Sequence, residues 1–146
     1  MPFLYKTISR GKLLHATIEG EFDLDFAKQH FLELISVLVQ HRCEKILVDA
    51  LDLVGDPLPV ERFFYGAFVA EAVTQFKQRH MRDGLLPFAY VMVEPTLDPR
   101  RLGETSARNR GMNVKAFDNI DAALEWLDLT PADLLDPGDP IEDSVH

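Results

Sequence analysis

The sequence predicts an α/β fold with a mixed five-stranded sheet, in which an N-terminal antiparallel hairpin precedes parallel strands and about four helices. Two observations carry this prediction. The runs Ile46–Val48 and Phe88–Val93 are apolar without alternation, which is typical of strands that are covered on both faces. The segments Leu24–Gln40 and Val60–Arg79 repeat apolar residues at helical spacing, so helices are expected to provide that cover.

The hairpin is predicted from two short strands, Phe3–Ser9 and Leu13–Glu19, on either side of a turn that contains Gly11. Apolar residues alternate with polar ones along the second strand, at Leu14, Ala16 and Ile18. This alternation indicates that one face of the hairpin packs against a core.

The first helix, Leu24–Gln40, is expected to begin after Asp23, because aspartate is a favoured N-cap residue. A third strand, Lys45–Ala50, should follow it. The next loop contains Pro57 and Pro59, which suit the start of a helix better than its interior. The second helix is therefore expected to begin near Val60.

A fourth strand is predicted over Pro87–Val93. Asp98 and Pro99 suit the N-cap and first position of a helix that runs to about Asn109 and is closed by Gly111. These start and stop signals predict a third helix.

The last predicted strand is Asn113–Phe117, and the last helix is Asn119–Leu127. Asp118 and Asp121 resemble a capping box at the start of that helix. Strands joined by helices should be parallel neighbours with right-handed crossovers.

Residues 1–129 are predicted to form a single domain, followed by an acidic, proline-containing C-terminal tail over residues 130–146. Thr130 and Pro131 could start one further helical turn. Asp136–His146 is expected to be mobile.

The composition excludes several classes of protein. Hydrophobic residues make up 47% of the chain, which is typical of a globular domain. A net charge of −9 argues against nucleic-acid binding, and the apolar runs are too short for membrane insertion. The single cysteine, Cys43, excludes an intramolecular disulfide, and no secretory segment is evident. We therefore expect a cytoplasmic protein.

Two motifs carry a resemblance to a known family. Val48-Asp49 ends an apolar strand, and Phe117-Asp118 is followed by Ala123 and Trp126-Leu127. These features resemble the STAS-like domains, and more closely the bacterial SpoIIAA-like proteins, over roughly Phe3 to Leu127. The resemblance implies a non-enzymatic protein-interaction module.

The chain departs from the anti-sigma-factor antagonists of that class at one functional position. Those proteins place a phosphorylated serine at the start of the helix after this strand, where the helix dipole tolerates negative charge. Here the segment Gly55–Glu61 contains no hydroxyl side chain. A kinase-operated switch is therefore not expected.

A rival function rests on Asp49, Asp52 and Asp56, which follow the third strand at the edge where α/β sheets bind ligands. Clustered carboxylates can hold a divalent cation, and Asp49 could accept a phosphoryl group. The alternative is thus a small metal- or phosphate-dependent enzyme or a phosphoacceptor domain. The purely structural interpretation is that Asp52 and Asp56 cap the loop and the helix start.

Four arginines lie on or beside the predicted third helix, at Arg100, Arg101, Arg108 and Arg110. Guanidinium groups could bind an anion or an acidic peptide, so Arg108 and Arg110 join the candidate ligand edge. Otherwise Arg108 and Arg110 stabilise the helix C-terminus while Arg100 and Arg101 are solvated.

The second helix is more apolar than a single buried stripe requires, because eleven of the seventeen residues from Val60 to Phe76 are apolar. This excess predicts a homodimer interface or an apolar ligand pocket. The alternative is that these side chains are buried within a monomer. The candidate interface residues are Phe63, Phe64, Tyr65, Phe68, Val69 and Val73. A charge at Phe64 is expected to disrupt folding or assembly.

The sequence thus predicts a non-enzymatic, self-associating interaction module. Its partners would be a second copy of the chain, an unidentified protein or a small apolar ligand. No catalytic residue, metal ligand or cofactor is indicated.

Overall fold

Five main strands form the body of one mixed sheet in the computed structural model, which describes residues 4–79, 86–98, 101–135, 139–140 and 144–145. The strands are β1 (Leu4–Arg10), β2 (Leu13–Glu21), β3 (Lys45–Val54), β4 (Phe88–Val91) and β5 (Val114–Phe117). Their order in space is β5-β4-β3-β2-β1. Only the β1–β2 pair is antiparallel among these five, which confirms the predicted fold class.

Four α-helices connect or follow these strands. They are α1 (Leu24–His41), α2 (Pro59–Arg79), α3 (Leu102–Arg108) and α4 (Ile120–Trp126). The predicted cap of α1 is confirmed, since the Asp23 carboxylate accepts a hydrogen bond of 3.1 Å from the amide of Phe26. No helix in the described part of the chain has the length and apolar character needed to cross a membrane.

Hydrophobic cores lie on both faces of the sheet, which explains the unbroken apolar runs of β3 and β4. The core shared with α1, α2 and α3 includes Phe31, Leu34, Leu38, Ile46, Val48, Val73, Phe88 and Ala107. The core shared with α4 includes Leu13, Leu47, Ala89, Val91, Phe117, Ala123, Leu124 and Leu127.

The third strand is longer than predicted. It continues from Ala50 to Val54 because it keeps pairing with β2, where Glu21 lies opposite Val54. A register shift accommodates this extension, because β3 carries one extra residue between Asp49 and Asp52 opposite Thr17 and Glu19 of β2. Asp49 therefore lies inside the strand and not at its end.

The starts of the last two helices differ from the predictions. The third helix begins at Leu102 after Arg101, whose φ of 54° is left-handed, so Asp98 is not its N-cap; Pro99 lies outside the described residues. At α4 the cap is Asn119, whose side-chain oxygen accepts from the amide of Ala122 at 2.8 Å, and not Asp118. In each case the loop geometry selects a cap later in the sequence.

Short elements of regular structure follow residue 129. Pro131–Leu134 forms a 3-10 helix with a capping box between Thr130 and Asp133. This is the further helical turn that the sequence indicated at Thr130 and Pro131. Leu134 packs against the α4 core. Two short strands, β6 (Asp139–Pro140) and β7 (Ser144–Val145), pair with the outer edge of β1, where a mobile tail was expected. The rest of Asp136–His146 lies outside the described residues.

The contact between α2 and α3 depends on two glycines. A Cβ atom at Gly66 would overlap the carbonyl oxygen of Gly103 and would lie 3.0 Å from the Cβ of Ser106. A Cβ atom at Gly103 would lie 3.1 Å from the carbonyl oxygen of Arg62. The two backbones can therefore approach this closely only because both positions lack a side chain.

Replacing Gly66 by alanine should destabilise the protein by about 1–3 kcal/mol, because the steric clash exceeds the gain in helix propensity. Gly103→Ala is the matched control, since it gains the same propensity with a milder contact and should cost less. Chemical denaturation measures both variants. Equal stabilities of the two variants would contradict this assignment of the contact.

Candidate functional site: an apolar patch beside an apolar pocket

Four apolar side chains are exposed at the start of α2, and we call them the apolar patch. Their exposed fractions are 60% for Leu58, 51% for Val60, 41% for Phe63 and 52% for Phe64. The rings of Phe63 and Phe64 meet edge to face with their centroids 5.9 Å apart. Apolar side chains exposed side by side in this way are typical of interaction surfaces.

Local contacts hold the patch in place. The Glu61 carboxylate accepts a hydrogen bond of 2.8 Å from the amide of Leu58 and so fixes the first turn of α2. The guanidinium of Arg110, beyond the end of α3, lies 5.1 Å from the centroid of the Phe63 ring. The patch is therefore presented on an ordered surface.

The structure corrects part of the predicted interface. Val69 and Val73 are only 2% and 4% exposed and belong to the core. Tyr65 and Phe68 are half-buried, and Phe68 lies beneath Lys28 of α1. The physical reason is that α2 packs against α1, α3 and the sheet, so it buries more than one stripe.

The predicted effect of a charge at Phe64 also needs correction. About half of this side chain is exposed, at 52%. An aspartate there would keep its hydration, so the cost of a buried charge does not arise. Only the effect on assembly remains as a prediction.

The three aspartates of the candidate ligand edge do not converge. The Asp49 carboxylate accepts from the amide of Leu51 at 3.1 Å, and Asp52 is exposed on β3. Asp56 forms an ion pair of 3.2 Å with Arg62. Within the described residues, no three His, Cys, Asp or Glu side chains are grouped so that they could hold a metal ion.

Arg62 is an anchor that the sequence did not reveal. Its guanidinium and Nε donate to the carbonyl oxygens of Pro57 at 3.0 Å, Pro95 at 2.7 Å and Thr96 at 2.8 Å. The side chain is only 10% exposed. Arg62 therefore ties the β3–α2 loop to the β4–α3 loop, a role that depends on residues more than thirty positions apart.

The arginines near α3 have separate partners. Arg108 pairs with Glu104 at 3.6 Å, and Arg110 donates to the Ser106 carbonyl at 2.9 Å. Arg101 is not simply solvated as predicted, because it donates to the Ala116 carbonyl at 2.6 Å. Arg100 lies outside the described residues. These contacts stabilise α3 and β5 and do not assemble one anion site.

His15 has a nearby carboxylate that the sequence did not reveal. The pKa of His15 is lowered, first by burial and then by the charge of Arg10, while Asp49 on the neighbouring strand opposes this effect. Arg10 donates to Nδ1 of His15 at 3.3 Å. A neutral imidazole fits this contact, because only the neutral ring can accept at Nδ1.

An apolar pocket of about 130 Å³ lies on the inner side of α2, between the sheet and α3. Its apolar lining includes Ile18, Phe22, Leu53, Val69, Met92 and Val114. Tyr65 and Tyr90 also line it, and their hydroxyl oxygens are 3.0 Å apart. The patch and the pocket therefore lie on two faces of one helix.

The two tyrosines are neutral at physiological pH. Burial raises the pKa of Tyr65 to about 12, against a smaller lowering by the hydrogen bond with Tyr90. Burial, followed by the charge and hydrogen bond of Tyr65, raises the pKa of Tyr90 well above its ordinary value. Both phenols therefore keep their protons, so each hydroxyl can donate as well as accept a hydrogen bond.

Between pH 10 and about 12, the free energy of unfolding should fall by about 1.4 kcal/mol per pH unit because of Tyr65 alone. In that window the unfolded chain loses the phenol proton while the folded chain keeps it, so the unfolded state binds fewer protons. Denaturation at several pH values measures this slope. The control is Tyr65→Phe/Tyr90→Phe, which should show a shallower slope; identical slopes would refute the assignment.

Comparisons with protein-family models and with curated protein sequences give no match for this chain.

Proposed function

We propose that this protein is a non-enzymatic, STAS-like interaction module that associates with a second copy of itself through the apolar patch. The exposure of Leu58, Val60, Phe63 and Phe64 is the observation that carries the proposal. Exposing these side chains costs free energy in the monomer, and an interface would recover it by removing them from water. The STAS-like motifs of the sequence support the same class of function.

A two-fold dimer suits the composition of this surface. In such a dimer the same residues of both subunits meet, so an apolar centre contacts an apolar centre. Oppositely charged groups lie near the patch, with Arg110 against Phe63 and Glu61 in the first turn of α2. The net charge of −9 on each chain opposes association, so apolar contacts must supply the attraction.

Phe64→Asp should weaken self-association by at least about tenfold, because a carboxylate would lose hydration at the centre of the interface. Sedimentation equilibrium over a wide range of protein concentrations measures the dissociation constant. The melting temperature should change little, since the side chain is exposed in the subunit.

Leu32→Asp is the matched control for this experiment. Leu32 lies on α1 and is 52% exposed, the same fraction as Phe64. This variant should associate like the native chain. A native protein that stays monomeric at every concentration, or equal weakening by both variants, would overturn the proposal.

Salt should strengthen the dimer. Raising the ionic strength from about 0.05 M to about 0.5 M screens the repulsion between two chains of charge −9, while apolar contacts persist. The dissociation constant from light scattering should therefore fall several-fold. A rise with salt would instead indicate an interface held by ion pairs.

A further inference from the structure

We propose that the pocket between α2, α3 and the sheet is a binding site for a small, uncharged, ring-sized organic molecule that carries one hydrogen-bond acceptor. This inference does not depend on self-association, because the pocket lies on the inner face of α2 and the apolar patch on its outer face. Three features of the pocket define the ligand, namely its size, its charge partners and one phenol donor.

The size of the pocket sets the size of the ligand. Its volume is about 130 Å³, and most of the residues around it are aliphatic or aromatic. An apolar cavity of about 150 Å³ in another protein is known to hold benzene. A molecule of six to eight non-hydrogen atoms would therefore fill the space and gain contacts that are missing from the lining.

The charged groups around the pocket favour an uncharged ligand. Arg62 donates to three loop carbonyls and pairs with Asp56, and Arg101 donates to Glu104 at 3.1 Å and to Ala116. Both guanidiniums that line the pocket are thus engaged. Glu104 also lines the pocket and pairs with Arg101 and Arg108. A charged ligand of either sign would have to break such contacts to find a counter-charge, whereas a neutral molecule needs no such change.

The tyrosine pair supplies one donor for the ligand. Tyr65 and Tyr90 share a single hydrogen bond of 3.0 Å, in which one hydroxyl donates and the other accepts. The accepting hydroxyl keeps its own O–H, and no acceptor for it is found among the described residues. A carbonyl or ether oxygen in the pocket would receive this proton and satisfy a buried donor.

Cyclohexanone and methylenecyclohexane test the proposal, because they share one shape and differ in the acceptor oxygen. Each would be titrated into the native protein, with the NMR signals of the methyl groups of Val69 and Met92 as the readout and those of Leu124 in the other core as the reference. We expect saturable shifts at Val69 and Met92 with both probes and none at Leu124.

The double variant Tyr65→Phe/Tyr90→Phe tests the donor. Removing both hydroxyls leaves no unpaired partner, so the protein should fold with little change in stability. Cyclohexanone should bind about fivefold more weakly to this variant, while methylenecyclohexane should bind as before or more tightly.

Ala50→Leu tests the location, because Ala50 lines the pocket and a larger side chain would occupy part of its volume. This variant should bind neither probe, whereas Phe64→Asp should bind both as the native protein does. Absence of saturable shifts in the native protein would overturn the proposal. Equal effects of the tyrosine variant on both probes would overturn the acceptor assignment. These two outcomes decide the matter even if Ala50→Leu fails to fold.

Discussion

The close approach of α2 and α3 is the constraint on which the rest of this structure depends. Gly66 and Gly103 allow the two backbones to meet without intervening side chains. Ser106 reinforces the contact by donating to the Phe63 carbonyl at 3.2 Å. The position of α3 is therefore set by two absent side chains, and the space left between α3 and the sheet becomes the pocket.

The two faces of α2 have different environments because of this arrangement. The inner face meets the sheet, α1 and α3, and it carries Val69, Val73 and the hydroxyl of Tyr65. The outer face at the helix start carries Phe63 and Phe64, which no described element covers completely. Arg62 lies between these regions and donates hydrogen bonds to the loops that lead into α2 and α3. These bonds fix the start of α2 and therefore the position of both of its faces.

The polar residues that invited an enzymatic interpretation have local structural partners. Asp49 bonds to the Leu51 amide within its own strand, and Asp56 neutralises Arg62. Asp49 thus bonds to the backbone of its own strand and Asp56 pairs with a largely buried cation, while Asp52 is exposed on β3. The exposed patch and most of the pocket lining are apolar, which is why the proposals concern association and an uncharged ligand.

The sequence by itself determined the fold class and most elements, because the period of apolar residues and the chemistry of caps are local properties. Asp23 and Gly11 lie where the pattern predicted, and β3 and β4 contain the predicted apolar runs, although β4 ends at Val91 and not at Val93. The sequence could not determine which apolar residues of α2 would be exposed, since the chain is apolar on several faces of that helix.

Tertiary structure alone decided the site. The Tyr65–Tyr90 pair, the Arg62 contacts and the exposure of Phe64 all depend on elements that are distant in sequence. The same holds for the extension of β3 by pairing with β2 and for the start of α3 after Arg101. Local patterns specify which elements form, but only their packing decides which side chains remain available to another molecule.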